Sequence, residues 1–157
     1  MSETQKLGNP DIKIGRLHIW VHGRQFPESQ DYWDSNWLNV TAEYTGLDSR
    51  VAAHGAFIHL GELAGFLDQL EVLNSELKGD AVLKCLEPNL HVDIRAMSLG
   101  HMAIEISLTA DHMIESHRFS EKIDQTFLPP IIESLRRVLT QYQHVKLTGL
   151  SRRFEHQ

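Results

Sequence analysis

The feature that most constrains this chain is a hydrophobic period that changes along its length. In 16–22 the apolar residues Leu17, Ile19 and Val21 alternate with polar or amphipathic neighbours, the period-2 signature of a half-buried strand. A second stretch, 37–44, repeats the pattern with Leu38, Val40, Ala42 and Tyr44 on one face, and 50–60 reads as a third strand. Leu63, Phe66, Leu67, Leu70, Leu73 and Leu77 then recur at helical spacing, with Glu62, Asp68, Glu71 and Glu76 off the stripe. Glu62 suits the positive start of that helix, and Lys78 and Gly79 suit its end. Strand signals return in 81–87, 90–96, 102–108 and 116–123. Finally Pro129 and Pro130 fit the first turn of a second helix, whose stripe is Ile132, Leu135, Val138, Leu139 and Tyr142.

The turns set how these elements meet. Gly23 ends the first strand, and Gly46, Asp48 and Ser49 turn the second into the third. Gly55 interrupts the third strand and predicts a bulge or a close backbone approach. Ser98-Leu99-Gly100 fits a three-residue hairpin loop, a type I turn with glycine in the left-handed position. That register sets Asp93 opposite Glu105, with Arg95 diagonal to Glu105. Strands joined by short loops pair antiparallel, so the expectation is an α+β fold of order βββ-α-ββββ-α. It comprises an antiparallel sheet of about seven strands with two helices packed on it, one face covered. Residues 1–14 read as an N-terminal arm, 15–142 as a single domain and 143–157 as a polar C-terminal tail.

Composition narrows the function classes. A chain of 157 residues with 41% hydrophobic and 23% charged residues can bury a core without staples, and long-range disorder is not expected. Its single cysteine, Cys85, excludes an internal disulfide framework and fits a reducing compartment. The first residues lack the apolar core of a signal peptide, and no run approaches the ~20 apolar residues needed to cross a bilayer. The expectation is a cytoplasmic protein with no membrane partner. With 21 acidic against 15 basic residues the formal charge is -6, which repels phosphate backbones and argues against nucleic acid as partner. The same sign would steer a basic protein towards the chain, although solubility alone also explains it.

Searches for reactive groups come up empty. Gly61-Glu62-Leu63-Ala64-Gly65 opens a helix and lacks the P-loop lysine, and no G-x-S-x-G elbow occurs. Cys85 lies in an apolar strand, where a thiolate is costly to form. His18 and His22 share a strand face but stand about 13 Å apart, too far to bind one metal unaided. His112 and His117, with Asp111 and Glu115, match no ligand spacing, so no metal or other cofactor is expected. Asp93 and Glu105 could divide their pKa values for acid–base work, but Arg95 stands close enough to neutralise them, and a solvated sheet face explains all three.

The most unusual stretch is Asp31-Tyr32-Trp33-Asp34-Ser35-Asn36-Trp37, which holds two of the three tryptophans among acids in an inter-strand loop. Two readings stand. Aromatic rings beside carboxylates are what a protein–protein anchor looks like. Equally, Trp33 and Trp37 can plug the end of the sheet while Asp31 and Asp34 cap turns. Both can hold, with one ring inside and the other outside.

Gly23-Arg24-Gln25-Phe26-Pro27, Asp31-Tyr32-Trp33-Asp34 and Asn36-Trp37-Leu38-Asn39-Val40 resemble the N-terminal signature of the WapI-type bacterial immunity proteins. Glu62-Leu63, Gly79-Asp80-Ala81, Glu87-Pro88-Asn89-Leu90 and Asp124-Gln125-Thr126-Phe127-Leu128 are similar in the same order, so the likeness spans 15–142. The tail, with Arg152 and Arg153, falls outside it. The resemblance implies a cytoplasmic protein that neutralises a cognate toxin domain by stoichiometric binding, without catalytic residues, and the acidic balance would suit a basic toxin such as a nuclease. On that reading Asp31, Tyr32, Trp33, Asp34, Trp37 and Arg24 are the partner-binding candidates. Two other classes remain open. One is a small-molecule-binding or enzymatic domain, with Asp93, Arg95 and Glu105 lining a pocket on the concave sheet face. The other is a self-associating structural module.

Overall fold

The computed structural model of the protein describes residues 4–143. The tail reading therefore lies, from residue 144 onwards, outside the described residues. In chain order the elements are β1 (Ile12–Ile14), β2 (Leu17–Arg24), α1 (Tyr32–Ser35), β3 (Trp37–Thr45), β4 (Arg50–His59) and α2 (Leu60–Glu76). They continue with β5 (Asp80–Lys84), β6 (Leu90–Ala96), β7 (His101–Leu108), β8 (Arg118–Asp124) and α3 (Leu128–Gln141). Every strand pair is antiparallel, as the short connections require.

The seven expected strands are present with a helix between the third and fourth, and the α+β class holds. An eighth strand, β1, lies in the stretch read as an N-terminal arm. Its Ile12 and Ile14 are buried and pair with Ile19 and Leu17. The strands also divide into two four-stranded sheets, β1-β2-β3-β4 and β5-β6-β7-β8, where the sequence suggested one. The division falls at α2, because β4 runs into the helix without a loop and the chain emerging from it pairs only with β6.

Both sheets turn their apolar faces to one core. Leu17, Ile19, Leu38, Val40 and Ala42 from the first sheet meet Val92, Ile94, Ile104 and Ile106 from the second. Phe66 and Leu70 of α2 and Leu135 and Val138 of α3 close the cluster. Each such aliphatic or aromatic side chain stabilises the fold by roughly 1.5–3 kcal/mol on burial. The predicted register is met: Asp93 pairs with Glu105, and Arg95 with Ala103, one step diagonal. Gly55, at φ +148°, stands at a bulge where two residues of β4 oppose one of β3. Gly23 does not end β2 but follows a similar irregularity, and the strand continues to Arg24. The β6–β7 hairpin differs from the expected type I turn. Leu99 and Gly100 are both left-handed, a pair of conformations that matches the twist of a tight hairpin. Leu77, the last member of the α2 stripe, is likewise left-handed and serves as the helix cap, donating its N–H to the Leu73 carbonyl.

One polar joint holds the two sheets together. Tyr44 of β3 stacks on Phe119 of β8 with centroids 4.0 Å apart, and its hydroxyl donates to Glu121 Oε2 at 2.7 Å. The same carboxylate oxygen accepts the Arg16 N–H at 3.2 Å from the β1–β2 turn. Gly15 in that turn is left-handed at φ +57°, and a Cβ there would lie 2.2 Å from Glu121 Oε1. Burial, with the Glu121 bond, pushes the Tyr44 phenol up to about 12.

Candidate functional site

The aromatic block is built on a single helical turn. Asp31 has extended backbone and its carboxylate accepts the Trp33 N–H at 2.9 Å, which starts α1 as an N-cap should. The buried Ser35 hydroxyl donates back to the Ser29 carbonyl at 2.6 Å, and Asn36 Nδ2 donates to the Tyr32 carbonyl at 2.7 Å. Leu60, the first residue of α2, donates its N–H to the Asn36 carbonyl at 2.8 Å. Arg24 fastens the turn from beneath: its guanidinium donates to the carbonyls of Ser35 (2.5 Å) and Gln143 (2.6 Å).

The rings gather round a residue that sequence reasoning passed over. His59, buried at the β4–α2 junction, has the rings of Trp37, Tyr32 and Trp33 at centroid distances of 5.0, 5.2 and 5.3 Å. His59 is also the N-cap of α2: its Nδ1 accepts the Gly61 N–H at 3.0 Å, and Glu62 Oε1 accepts the His59 N–H at 2.8 Å. A glutamate three residues after a strand-ending polar residue is the capping-box spacing, and that signal could have found it. The two tryptophans differ in exposure. Trp37 is half-buried against His59, whereas Trp33 is 56% exposed between the exposed Asp31 and Asp34. Tyr32 is half-buried and meets Trp33 edge-on.

Glu62 carries the architecture one step further. Its second oxygen, Oε2, accepts the Leu86 N–H at 2.6 Å, so one carboxylate joins the start of α2 to the β5–β6 loop. Burial raises its pKa, offset in part by the two backbone donors. Beside it, burial and the Glu62 charge push the Cys85 thiol up, away from a thiolate. The β5–β6 loop is tied in turn to the β7–β8 loop, since Asn89 Nδ2 donates to the carbonyls of Thr109 and Ala110, each at 3.1 Å.

The alternative group is placed differently. Asp93 and Glu105 face each other, but each has its own arginine: Arg95 lies 3.7 Å from Asp93, and Arg118 binds Glu105 at 2.5 Å. A cavity of about 530 Å³ at the seam between the sheets is lined by Arg16, Tyr44, Leu47, Arg118 and Glu121. Another of about 390 Å³ lies between β1 and α3, with Lys13, Phe127, Ile131 and Arg137 in its walls. Neither is lined by Asp93, Arg95 or Glu105.

The histidines also find partners of their own. His22 Nε2 lies 2.8 Å from the Thr41 hydroxyl, which lies 3.0 Å from His54 Nδ1. His18 meets Trp20 edge-on, and burial, with Lys13 nearby, holds its pKa below the usual histidine value. His117 Nε2 is 3.5 Å from Glu115. Among the described residues no three His, Cys, Asp or Glu side chains converge as metal ligands, and no helix is long and apolar enough to cross a membrane.

The molecule is thus an α+β protein of two antiparallel sheets that carries an acid-flanked aromatic cluster where β4 enters α2. Residues 8–143 match the Immunity protein WapI-like family, and the chain belongs to that family. No curated protein and no solved structure matches it.

Proposed function

We propose that this protein neutralises one cognate toxin domain in the cytoplasm by stoichiometric binding, with no chemistry of its own. Family membership supports an immunity role. The observation that carries the binding reading is Trp33: a large ring 56% exposed, held between two carboxylates on a turn braced by hydrogen bonds from Trp33, Ser35 and Asn36. Folding gives no reason to leave such a ring in water, whereas a partner pocket does, and a ring already fixed loses little entropy on binding. Asp31, Trp33 and Asp34 make contact in this reading, while Tyr32, Trp37 and Arg24 hold them in place. The charge of -6 suits a basic toxin, such as a nuclease whose substrate face would be covered.

Co-expression with polymorphic-toxin C-terminal domains, starting with any encoded beside this gene, tests the proposal. Cells carrying both the protein and its cognate domain should grow, and purified toxin domain and protein should co-elute at 1:1. Equal killing with and without this protein ends the immunity reading.

A further inference from the structure

We infer that the partner-facing surface reaches beyond α1, across the β5–β6 and β7–β8 loops, as one apolar strip walled by carboxylates that fits a lysine- and arginine-rimmed apolar recess on the toxin. The inference rests on the immunity reading above and assigns it a surface and a partner chemistry.

Continuity comes from hydrogen bonds that lead from one loop to the next. Trp33 packs on His59, whose N–H shares the Glu62 carboxylate with the N–H of Leu86. Three residues on, Asn89 binds the Thr109 and Ala110 carbonyls and so joins the two loops of the second sheet. In the last loop Asp111 organises a compact turn, its carboxylate accepting the Met113 N–H at 3.0 Å and its carbonyl the N–H groups of Ile114 and Glu115. Each loop is therefore held in shape by its own bonds.

The side chains raised on this framework are the wrong ones for plain solvent. Leu86 is 71% exposed, and Met113 and Ile114 are each 79% exposed, so with Trp33 three neighbouring loops present four large apolar groups. The charges within these loops have one sign, and the basic residues Arg24, Lys84 and Arg118 stand at the strand ends that flank them. Segments 25–36, 85–89 and 109–117 contain six carboxylates (Glu28, Asp31, Asp34, Glu87, Asp111 and Glu115) and no lysine or arginine. An aromatic and aliphatic centre inside a charged rim is the anatomy of a protein interface, and the acidic rim selects a basic partner. The opposite end of the second sheet makes the contrast. There Leu99 is 93% exposed with Met97 beside it in the hairpin and Leu77 at the helix cap, but the connecting residues 97–100 carry no charge and 77–79 only Lys78, so no acidic rim selects a basic partner.

The test is calorimetric titration of the full-length protein with the purified C-terminal domain of a toxin against which it protects cells on co-expression. Thermal melts serve as a folding control, because every substituted side chain is exposed. Leu86→Ser and the double change Met113→Ser/Ile114→Ser should each weaken binding by about tenfold or more, comparable to Trp33→Ala. Glu87→Lys with Glu28→Lys should slow association and flatten its salt dependence, and Leu99→Ser should stay within about twofold of the parent. If Trp33→Ala weakens binding while the loop variants do not, the extended surface is wrong and the immunity reading survives. A loss confined to Leu99→Ser would move the interface to the other end and also overturn it. Parent protein that neither binds nor protects removes both.

Discussion

Glu62 and Glu121 are the same device put to different use. Each carboxylate joins two donors that lie far from each other in sequence, Glu62 the N–H groups of His59 and Leu86, Glu121 the Arg16 N–H and the Tyr44 hydroxyl. Glu121 sits behind the Tyr44–Phe119 stack, where it locks one sheet onto the other. Glu62 lies beneath loops whose apolar side chains face solvent, so what it fixes is the shape of a surface. A joint between sheets bears on the core itself, whereas a joint under a surface can loosen with most of the core intact. Damage at the first should therefore appear as lost stability with binding preserved in whatever remains folded. Around the second, binding should suffer out of proportion to stability.

The hardest blow to that contrast would come at Gly15. A Cβ at 2.2 Å from Glu121 Oε1 displaces the carboxylate, and the left-handed backbone adds its own penalty of about 1–2 kcal/mol for an L side chain. With the lost Glu121 bonds, Gly15→Ala should destabilise the protein by about 3 kcal/mol in urea denaturation. Toxin affinity, measured well below the melting midpoint, should be unchanged. A variant as stable as the parent would show that the seam does not depend on this joint.

Next in size is Glu62→Gln. The carboxylate offers one oxygen to His59 and the other to Leu86, but the amide has a single acceptor, and its NH₂ would face one N–H donor. Leaving a partly buried N–H without its partner costs about 2 kcal/mol, against which removing a buried charge returns some stability. The pH dependence runs in a definite direction. Burial raises the folded pKa of Glu62, so the folded state holds this proton more tightly than the unfolded one. The associated stability is complete below the unfolded pKa and is lost as pH rises through the folded value. Denaturation series of parent and Glu62→Gln should differ in this limb, and amide exchange at Leu86 should quicken in the variant.

A smaller effect is expected at Tyr44. Tyr44→Phe keeps the stack on Phe119 and removes one hydrogen bond to a carboxylate, worth about 1.5 kcal/mol. The phenol titrates near 12 in the fold and near 10 unfolded, so between these values the folded state carries the extra proton and stability falls as pH rises. The parent should show this alkaline limb and Tyr44→Phe should lack it. An identical limb in both would place the titration elsewhere.

What could be read beforehand was what local periodicity controls. The β6–β7 register, the α2 and α3 stripes and the bulge at Gly55 all follow from spacing within one or two neighbouring segments. β1 escaped because three residues, Ile12-Lys13-Ile14, are too few to show a period, and only β2 beside them makes them a strand. The division into two sheets was also out of reach, since it depends on which strand each edge does not pair with. At the site, the aromatic block stood out in the chain, but its centre did not. His59 comes twenty-two residues after Trp37 and meets it only because β3 and β4 pair Trp37 with His59. Leu86, Met113 and Ile114 carry no motif at all, and their exposure is legible only in the folded molecule.

The least expensive substitution for the fold should be the one that matters most at the surface. Trp33 lies on a turn held by Asp31, Ser29 and Asn36, none of which needs the indole, and over half of the residue is already in water. Trp33→Ala should therefore cost below about 1 kcal/mol, well short of the roughly 3–5 kcal/mol typical of a tryptophan removed from a core. What it forfeits is edge-on packing against Tyr32 and a tilted ring contact with His59. Urea denaturation of Trp33→Ala beside Trp37→Ala, whose ring is half-buried at 5.0 Å from His59, gives the comparison directly, with the larger loss expected at Trp37. Were Trp33→Ala to prove as damaging as a core truncation, the ring would be a plug for the end of the sheet. The distinction between a joint that makes the fold and one that shapes a surface would then fail at its best-placed residue.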